Sequence, residues 1–393
     1  MKRIGVCIEW DRAWGRDVCE GICAFAQKHP DWSLTLMKIA DVGRRAIPAG
    51  MDGLIVHVPS ESLEDLLCSR RCPVVDLACR TRYDARALRG HWQDNAAIGR
   101  LAARHFIEHR FASFAFCGYD GQAFSDIRKR AFVRTLERHR HSVETYSCDR
   151  SVTSGFVSAA MYGEERIDSA PDSPRLVRWL QSLAKPVAVF CANDLRALQA
   201  ILACEKAGIS VPDEVAVLGV DNDTLICNFI TPTISSIDPD AKAIGVAAAE
   251  SLACALDGRP EGRAIQAVRP RELVTRASSD VFSVEPRWLS DALVFIRRNI
   301  NRSLSAADVY ADANRSHTSV NAAFRRALGA SVLSTIRSVA LDEAKRLLAA
   351  TGLPISEVSK RTGFRSPQYF CNVFSGAFGM SPSAFREAGK RFS

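Results

Sequence analysis

The stretch ISEVSKRTGFRSPQYFCNVFSGAFG, residues 355–379, contains two short helical patterns joined by a turn. Ile355 and Val358 repeat at the spacing of one helix face. Gly363 is the residue type that most readily takes the left-handed conformation at a helix end. Ser366 is a good N-cap, and a proline follows it at the first helical position, where its missing N–H costs nothing. The stretch therefore predicts a helix-turn-helix.

The second helix of this stretch is apolar on one side and polar on the other. Phe370, Phe374 and Phe378 are spaced at i, i+4 and i+8, so they form one apolar stripe. Gln368 and Asn372 lie on the polar side. This division is typical of a recognition helix, which packs its stripe on the protein and turns its polar side toward the major groove of DNA.

A similar pattern lies upstream. Residues 306–314 predict one helix and residues 318–328 predict a second, with Ser316 as a cap between them and Gly329 after them. Between the two units, residues 332–350 predict a long amphipathic helix. This helix would set the spacing of two recognition helices, and major grooves on one face of B-DNA recur every ~34 Å.

Basic residues are concentrated at this end of the chain. Residues 286–393 contain 16 lysines and arginines against 7 acidic residues, whereas the whole chain of 393 residues has a net charge of +8. The preceding 285 residues are therefore nearly neutral. A basic module beside a neutral one predicts double-stranded DNA as the partner of the first and a neutral ligand for the second.

The first 276 residues alternate short apolar runs with amphipathic helical stretches. The predicted strands are 3–8, 34–37, 53–58, 74–77, 113–117, 187–191 and 216–220. Strands that alternate with helices predict a parallel sheet covered on both faces. We therefore predict three segments, namely an α/β sensor domain over 1–276, a linker over 277–286 and a DNA-binding domain over 287–393.

Polar and aromatic residues follow several of these strands, at the edge where parallel sheets bind ligands. They are, in chain order, Glu9, Trp10, Asp11, Trp14, Asn193, Asp194, Asp221, Asn222 and Asp223. Carboxylates and amides hydrogen-bond to sugar hydroxyls, and an aromatic ring covers the apolar face of a sugar. Each residue alone is as well explained by a turn or a helix cap. Several of them together at strand ends favour a ligand cleft.

Signals for catalysis, metals and membranes are missing from the sequence. We find no phosphate loop, no His-Glu-x-x-His helix and no Cys-x-x-Cys among the 13 cysteines. No apolar run approaches the ~20 residues that span a bilayer, and Glu9 interrupts the first apolar segment before it could form a secretory signal. We expect a cytoplasmic protein with reduced thiols, no catalytic residues and no cofactor.

Residues 287–389 resemble the double helix-turn-helix domain of AraC-type regulators. The resemblance is carried by Ala344-Lys345-Arg346-Leu347-Leu348, Ile355-Ser356-Glu357-Val358, Gly363-Phe364, Tyr369-Phe370, Ser381-Pro382 and Phe385-Arg386. This sequence departs from the family at two positions, Ala322, where a long polar side chain is common, and Gly376, where lysine is usual.

By this resemblance, the two recognition helices contact DNA through two sets of side chains. Those expected to face bases are Thr318, Asn321, Gln368, Cys371 and Asn372. Those expected to contact phosphates are Ser316, Arg325, Arg326 and Ser366. His317 is expected on the same exposed face. Phosphate contacts hold the protein in register and do not read sequence.

Residues 2–276 resemble the sugar-sensing core of LacI-type regulators, which is related to periplasmic sugar-binding proteins. The resemblance is carried by Asp94-Asn95, Arg128-x-x-Ala-Phe132, Ala192-Asn193-Asp194 and Val217-Leu218-Gly219-Val220-Asp221-Asn222. It implies a two-lobed α/β fold like that of the periplasmic binding proteins, followed here by an all-α domain with two helix-turn-helix motifs. Arg128 and Asp221 would be the best ligand contacts, with Asn193 next and Trp14 as the stacking ring. Asp94 would cap a helix.

Taken together, the two resemblances imply a transcriptional regulator controlled by a monosaccharide, with a pentose favoured. The sugar would close the two lobes about hinges near residues 110 and 238. The sensor's family implies a homodimer. The resemblance of the DNA-binding domain to AraC-type regulators implies an activator of sugar-utilisation genes that recruits RNA polymerase. Three alternatives stay open, namely a ligand-released repressor, a sugar-binding transport protein and a sugar-modifying enzyme with a helical appendage.

Overall fold

The computed structural model describes residues 1–10, 12–37, 50–57, 72–78, 89–148, 173–259 and 265–391. These residues divide into two compact units. The first comprises Met1–Glu108 and Ala112–Ser279, and the second comprises His109–Phe111 and Asp280–Ser393.

The first unit contains two six-stranded sheets. The first sheet is formed by β1 (Lys2–Cys7), β2 (Trp32–Met37), β3 (Gly53–Val56), β4 (Val74–Asp76), β5 (Arg89–Gln93) and β11 (Ile265–Val268). The second is formed by β6 (Ser113–Tyr119), β7 (Val143–Cys148), β8 (Val187–Cys191), β9 (Val215–Val220), β10 (Ser235–Asp238) and β12 (Glu272–Val274). Their strand orders are β11-β5-β4-β3-β1-β2 and β12-β10-β9-β8-β6-β7.

Nearly all the strand pairs are parallel, and the exception among the described pairs is the antiparallel pair β10–β12. Parallel strands are covered on both faces, so they consist of apolar runs without alternation. Strands β3, β8 and β9 are buried at every position for this reason. The seven strands predicted from the sequence are all present, and β5, β7, β10, β11 and β12 were not predicted.

Seven helices accompany the sheets in the described part of the first unit. They are α1 (Ala13–Ala26), α2 (Asn95–Glu108), α3 (Ala123–Arg138), α4 (Ser173–Ser182), α5 (Asp194–Ala207), α6 (Thr224–Phe229) and α7 (Ala241–Leu256). Helices α1 and α7 pack together on the first sheet. Their backbones approach so closely that a Cβ on Gly21 would lie 2.1 Å from the Lys242 carbonyl oxygen.

Each sheet with its helices forms one lobe, and the chain crosses between the lobes at three points. The crossings are at Asp94, between Asp238 and α7, and between Val268 and β12. The Asp94 N–H donates to the Val268 carbonyl (2.6 Å), so two of the crossings lie side by side. Helix α2 packs on α3 of the second lobe. The prediction of a hinge near residue 110 was therefore wrong, because the chain has already crossed before α2 begins.

The second unit is helical. Its helices are α8 (Arg287–Arg298), α9 (Ala306–Asp312), α10 (His317–Leu328), α11 (Val332–Ala350), α12 (Ile355–Arg361), α13 (Pro367–Phe378) and α14 (Pro382–Arg391). Two hydrophobic cores hold them together. The first joins α8, α9, α10 and the start of α11, and the second joins the rest of α11 to α12 and α13.

The side chain of Phe364 packs against both cores. The residue before it, Gly363, has a φ of +71°, and a Cβ there would lie 2.3 Å from the Ile300 carbonyl oxygen. The Ser303 hydroxyl donates to the Gly363 carbonyl (3.1 Å). The two helical halves of this unit are therefore joined by direct contacts as well as by α11.

The predicted linker residues take part in the two units. Ser278 is buried, and its hydroxyl donates to the Val217 carbonyl of β9 (2.7 Å). Phe282 stacks on His109 in the second unit, with ring centroids 4.7 Å apart. The domain boundaries given by the sequence stay predictions.

Candidate functional site

The loop after β9 has an unusual backbone that determines where its polar side chains point. Asp221 and Asn222 have positive φ values, +108° and +49°. The Asn222 N–H donates to the Ser236 hydroxyl (2.9 Å), and the Asn222 side-chain oxygen accepts from Arg276 (2.8 Å). The next N–H, that of Asp223, donates to Asp194 (2.8 Å). These bonds hold the loop in a conformation that L-residues rarely adopt.

Asp194 organises this loop from inside the second lobe. It is buried and accepts hydrogen bonds from the Ser236 hydroxyl (2.6 Å) and from Asp223. Burial, followed by the neighbouring Asp221, raises the pKa of its carboxyl well above the ordinary range. A Cβ on Gly219 would lie 2.2 Å from Asp194 Oδ1, so glycine is required there. Asp194 is thus a structural residue beneath the loop after β9.

Arg128, on α3, lies beside Asp221. Its side chain is 1% exposed, and its Nε donates to Asn95 Oδ1 (2.8 Å). Its Nη1 donates to the carbonyl of Ala192, and its Nη2 lies 4.0 Å from Asp221 Oδ1. The guanidinium also lies over the ring of Phe124, 5.1 Å from the ring centroid. The structure therefore brings together the two residues that the sequence predicts as the best ligand contacts.

The carboxyl of Asp221 is electrostatically unusual. Its side chain is a quarter exposed. Burial raises the pKa of Asp221 from 3.8 to about 6, while Arg128 and Arg12 act in the opposite direction. Asp223 and Asp238 add to the rise. Burial thus already disfavours the charge on Asp221, and two further carboxylates lie nearby, which suits a neutral, hydroxyl-rich ligand better than an anionic one.

The first lobe faces this loop through the start of α1. The Ala13 N–H donates to Asp223 Oδ2 (3.4 Å), so a hydrogen bond crosses the cleft. The indole of Trp14 lies against His57 at the end of β3, with ring centroids 4.9 Å apart. Its Nε1 is buried and has no hydrogen-bond partner among the described residues. Trp14 therefore presents an unused donor as well as a ring.

The other predicted residues differ in exposure and in the hydrogen bonds that they already make. Trp10 is 44% exposed and Glu9 is half-buried. Asn193 caps α5, where its side-chain oxygen accepts from the Arg196 N–H (2.9 Å) and from the Tyr119 hydroxyl (3.1 Å). Its capping role follows from the sequence pattern, and its role in ligand binding stays a prediction.

Two residues near the pair were not predicted as ligand contacts. They are Asn95 and Phe124. Asn95 lies in the Asp94-Asn95 motif, but that motif indicates only a cap for the following helix and no ligand contact. Asp94 provides the cap by accepting the Ala97 N–H (2.8 Å). Phe124 is an ordinary helix residue in the sequence, so no pattern marks it.

The first helix-turn-helix consists of α9 and α10. Ser305 and Asp308 form a reciprocal capping box at the start of α9, and Ser316 caps α10 by accepting the Ser319 N–H (3.2 Å). Gly329 ends α10 with a φ of +68°. The predicted DNA-facing residues that are exposed on this motif are Ser316, His317, Thr318, Arg325 and Arg326.

Asn321 is held by its neighbours. Its Nδ2 donates to the Tyr310 hydroxyl (2.7 Å) and to the His317 carbonyl (3.0 Å), and the His317 ring stacks on Tyr310 at 4.3 Å. Both amide hydrogens are therefore used inside the protein. The group that remains for DNA is Oδ1, an acceptor. Asn321 so placed suits the exocyclic amine of cytosine or adenine, and it lacks the donor needed for bidentate pairing with adenine.

The second helix-turn-helix consists of α12 and α13. Ser366 caps α13 by accepting the Tyr369 N–H (3.2 Å), with proline at the first helical position. Gln368 and Asn372 are exposed and joined by a hydrogen bond of 3.4 Å. Cys371 is half-buried and packs partly on the second core. Two amides therefore stand side by side on the outer face of α13.

Clusters for other kinds of site are not seen in the part of the chain that the structure describes. Among those residues, no group of three or more His, Cys, Asp and Glu side chains could hold a metal ion. Within the same ranges, no helix is both long and apolar enough to cross a membrane.

Comparison with known domains gives the class of protein. Residues 103–279 match the periplasmic binding protein-like domain, and residues 310–388 match a helix-turn-helix domain. The chain is thus a DNA-binding transcriptional regulator in which a two-lobed sensor precedes the helix-turn-helix domain.

Within this class, the chain is homologous to the xylose operon regulatory proteins. It is 28% identical to that of Haemophilus influenzae over 75% of this chain and 73% of the relative. It is 24% identical to that of Escherichia coli K12 over 98% of this chain and 97% of the relative. A solved structure of a xylose-binding transcription activator has the same fold, with a TM-score of 0.60, 24% identity and 98% coverage of both chains.

Proposed function

We propose that this protein activates sugar-utilisation genes when a monosaccharide binds between the lobes of its sensor. A pentose is favoured, and D-xylose is the first candidate. The observation that carries the proposal is that nearly the whole chain matches regulators named for the xylose operon. The match covers both the sensor and the DNA-binding domain. Release of a repressor by the same sugar is the alternative output.

The chemistry around Asp221 supports a neutral sugar. A carboxylate and a guanidinium about 4 Å apart accept from one hydroxyl and donate to another, which a vicinal diol satisfies at once. A sugar phosphate or a uronate would bring a negative charge next to Asp221, Asp223 and Asp238. Burial, with a smaller contribution from Asp223 and Asp238, already raises the pKa of Asp221, so a further negative charge is unfavourable there. We therefore propose Arg128 and Asp221 as the principal contacts.

The remaining contacts are proposed on both lobes. Asn193 would reach the ligand with the part of its amide that the cap does not use, and Trp14 would contribute its ring or its indole N–H. Glu9 and Trp10 would lie at the mouth of the cleft. Because a hydrogen bond already joins Ala13 to Asp223, sugar binding would stabilise the form in which the lobes are closed. The ligand can shift that equilibrium only through its differential affinity for the two forms.

The DNA-binding half would read its operator through α10 and α13. The side chains proposed to contact bases and phosphates are those given above for the two helix-turn-helix motifs. We further propose that the protein acts in the cytoplasm, as a homodimer that recruits RNA polymerase. Recruitment of polymerase is supported by the similarity to a solved structure described as a transcription activator. The homodimer follows from the resemblance of the sensor to LacI-type regulators.

A thermal unfolding experiment with a sugar panel tests the proposal. The full-length protein is heated with pentoses, hexoses, uronates and sugar phosphates. A ligand that binds the folded form alone stabilises it by ~2.7 kcal/mol at a hundredfold excess over Kd. We expect a neutral pentose to raise the unfolding temperature, and Arg128→Ala to abolish the shift. The matched control is Arg130→Ala, on the exposed side of the same helix. If no sugar shifts the transition, the sensor assignment is wrong, and turnover of a sugar would support an enzyme instead.

A further inference from the structure

Asn95 is the first residue of α2, directly after the chain crosses from the first lobe to the second. Its side chain is buried, with 3% of the residue exposed. One half of its amide is used, because Oδ1 accepts the hydrogen bond from Arg128 Nε (2.8 Å). The other half, Nδ2, is buried and has no hydrogen-bond partner among the described residues.

A buried amide donor without a partner is unfavourable, because it has lost its hydrogen bond to water and gained none in exchange. Proteins keep few such groups, and each one calls for a physical reason. Here the donor belongs to the side chain that orients Arg128, whose guanidinium in turn lies 4.0 Å from Asp221. The unsatisfied Nδ2 therefore belongs to a side chain that is hydrogen-bonded directly to Arg128, one of the two residues proposed to bind the sugar.

We propose that Asn95 is itself a sugar-contacting residue, whose Nδ2 donates a hydrogen bond to a ligand hydroxyl oxygen. This proposal rests on the sugar-binding function proposed above and adds a specificity residue to it. Asn95 and Arg128 both donate, whereas the Asp221 carboxylate accepts. The ligand must therefore offer one hydroxyl that acts as an acceptor and another that acts as a donor.

The same geometry gives the ligand a means to drive closure. The hydrogen bond between Ala13 and Asp223 holds the lobes together across the cleft, and in this arrangement Asn95 Nδ2 has neither a partner nor access to water. Closure without sugar thus leaves a donor unsatisfied, and closure with sugar satisfies it. A ligand that makes this bond in the closed form alone has the differential affinity that a population shift requires.

The test compares Asn95→Asp with the unaltered protein. The substitution keeps an oxygen for Arg128 Nε and replaces the Nδ2 donor by an acceptor. The probe is D-xylose, or the panel pentose that binds best, together with its monodeoxy and monodeoxyfluoro analogues. Fluorine accepts hydrogen bonds weakly and does not donate, so it distinguishes the hydroxyl that Asn95 contacts from the hydroxyl that Asp221 contacts. Affinities are measured by calorimetric titration of the full-length protein.

We expect Asn95→Asp to weaken sugar binding 10- to 100-fold. We also expect the preference among analogues to change at one ring position, because the carboxylate of the variant can only accept a hydrogen bond there. At that position the fluoro sugar, which can accept from the Asn95 amide of the unaltered protein, should lose more affinity than the hydroxy sugar. The unfolding temperature without sugar should not fall, and the control Asp94→Asn, which keeps the cap, should bind sugar normally.

Two results would overturn the proposal. A uniform loss for every analogue, with each position keeping its ratio, would mean that Asn95 acts only by orienting Arg128. An affinity and a preference among analogues that are both unchanged in Asn95→Asp would mean that the Asn95 donor faces no ligand. A panel in which no sugar binds the unaltered protein is a different failure, because it removes the proposed function.

Discussion

Replacing Asp221 by asparagine should make the ligand-free sensor more stable while abolishing its response to sugar. The pKa of Asp221 is raised from 3.8 to about 6, mainly by burial. In the window between these values the folded state binds the proton more readily than the unfolded state. The contribution of Asp221 to the free energy of unfolding therefore falls as the pH rises through this window. At pH 7 the whole cost of burying the charged carboxylate is present.

The size of the effect follows from the same shift. A rise from 3.8 to about 6 corresponds to roughly 3 kcal/mol at neutral pH. Asparagine resembles the protonated acid in shape and charge, and it tolerates the positive φ of +108° at this position. Because the side chain is a quarter exposed, we expect a gain of about 1–3 kcal/mol in the free energy of unfolding at pH 7.5. At pH 5 the gain should fall to roughly half, because Asp221 of the unaltered protein is then mostly protonated.

Urea denaturation followed by tryptophan fluorescence measures this gain. Five of the six tryptophans lie in the first unit, so the signal reports mainly on the sensor. The control is Asp120→Asn in an exposed turn, where no change is expected at either pH. A loss of stability in Asp221→Asn at pH 7.5, or an equal gain at both pH values, would refute the argument that burial of a charged carboxyl dominates here.

Three further predictions concern the DNA-binding unit. Tyr310→Phe frees one amide hydrogen of Asn321, so sites selected from a randomised DNA library should shift toward adenine at the base this residue reads; an unchanged preference would contradict the bonding described. Gly376 lies in an exposed helix with nothing within 4 Å of an added Cβ, so alanine there should add about 1 kcal/mol to the free energy of unfolding. Lysine there should also steepen the salt dependence of DNA affinity by about one charge in titrations at several salt concentrations. Gly363→Ala should lower the free energy of unfolding by more than ~2 kcal/mol in urea denaturation, because its Cβ would lie 2.3 Å from a carbonyl oxygen. Gly329→Ala, at a similar φ but in open space, should lower it by about 1 kcal/mol, and equal losses would show that the contact at Gly363 does not matter.

The helix-turn-helix motifs could be predicted because their signals are local. A serine cap, a proline at the first turn and a glycine at the end specify α13 within a dozen residues, and the structure has all three. The strands of the sheet centres were predicted for a similar reason, since each is a continuous apolar run. The strands that were missed are short or lie toward the sheet edges, and their pairing depends on partners far away in the chain.

The candidate site could be predicted only in part. The three residues after β9, Asp-Asn-Asp, are all short polar residues that favour turns. Nothing in the neighbouring sequence shows which of them faces the cleft and which holds the loop. Their different roles come from the positive φ values of Asp221 and Asn222, which bonds from distant residues hold in place. The unmatched donor of Asn95 was likewise invisible, because its neighbour Arg128 lies 33 positions away.

The contacts of Gly363 and Phe364 have a consequence for the operator. Because the ring of Phe364 packs against both helical cores, a change in the separation or angle of α10 and α13 would disrupt that packing. A duplex that does not match this geometry must deform to be read at both grooves. Deformation is easiest at flexible pyrimidine–purine steps and hardest in stiff A-tracts. The base pairs between the two contacted segments, which no side chain touches, would then still influence which operators are bound.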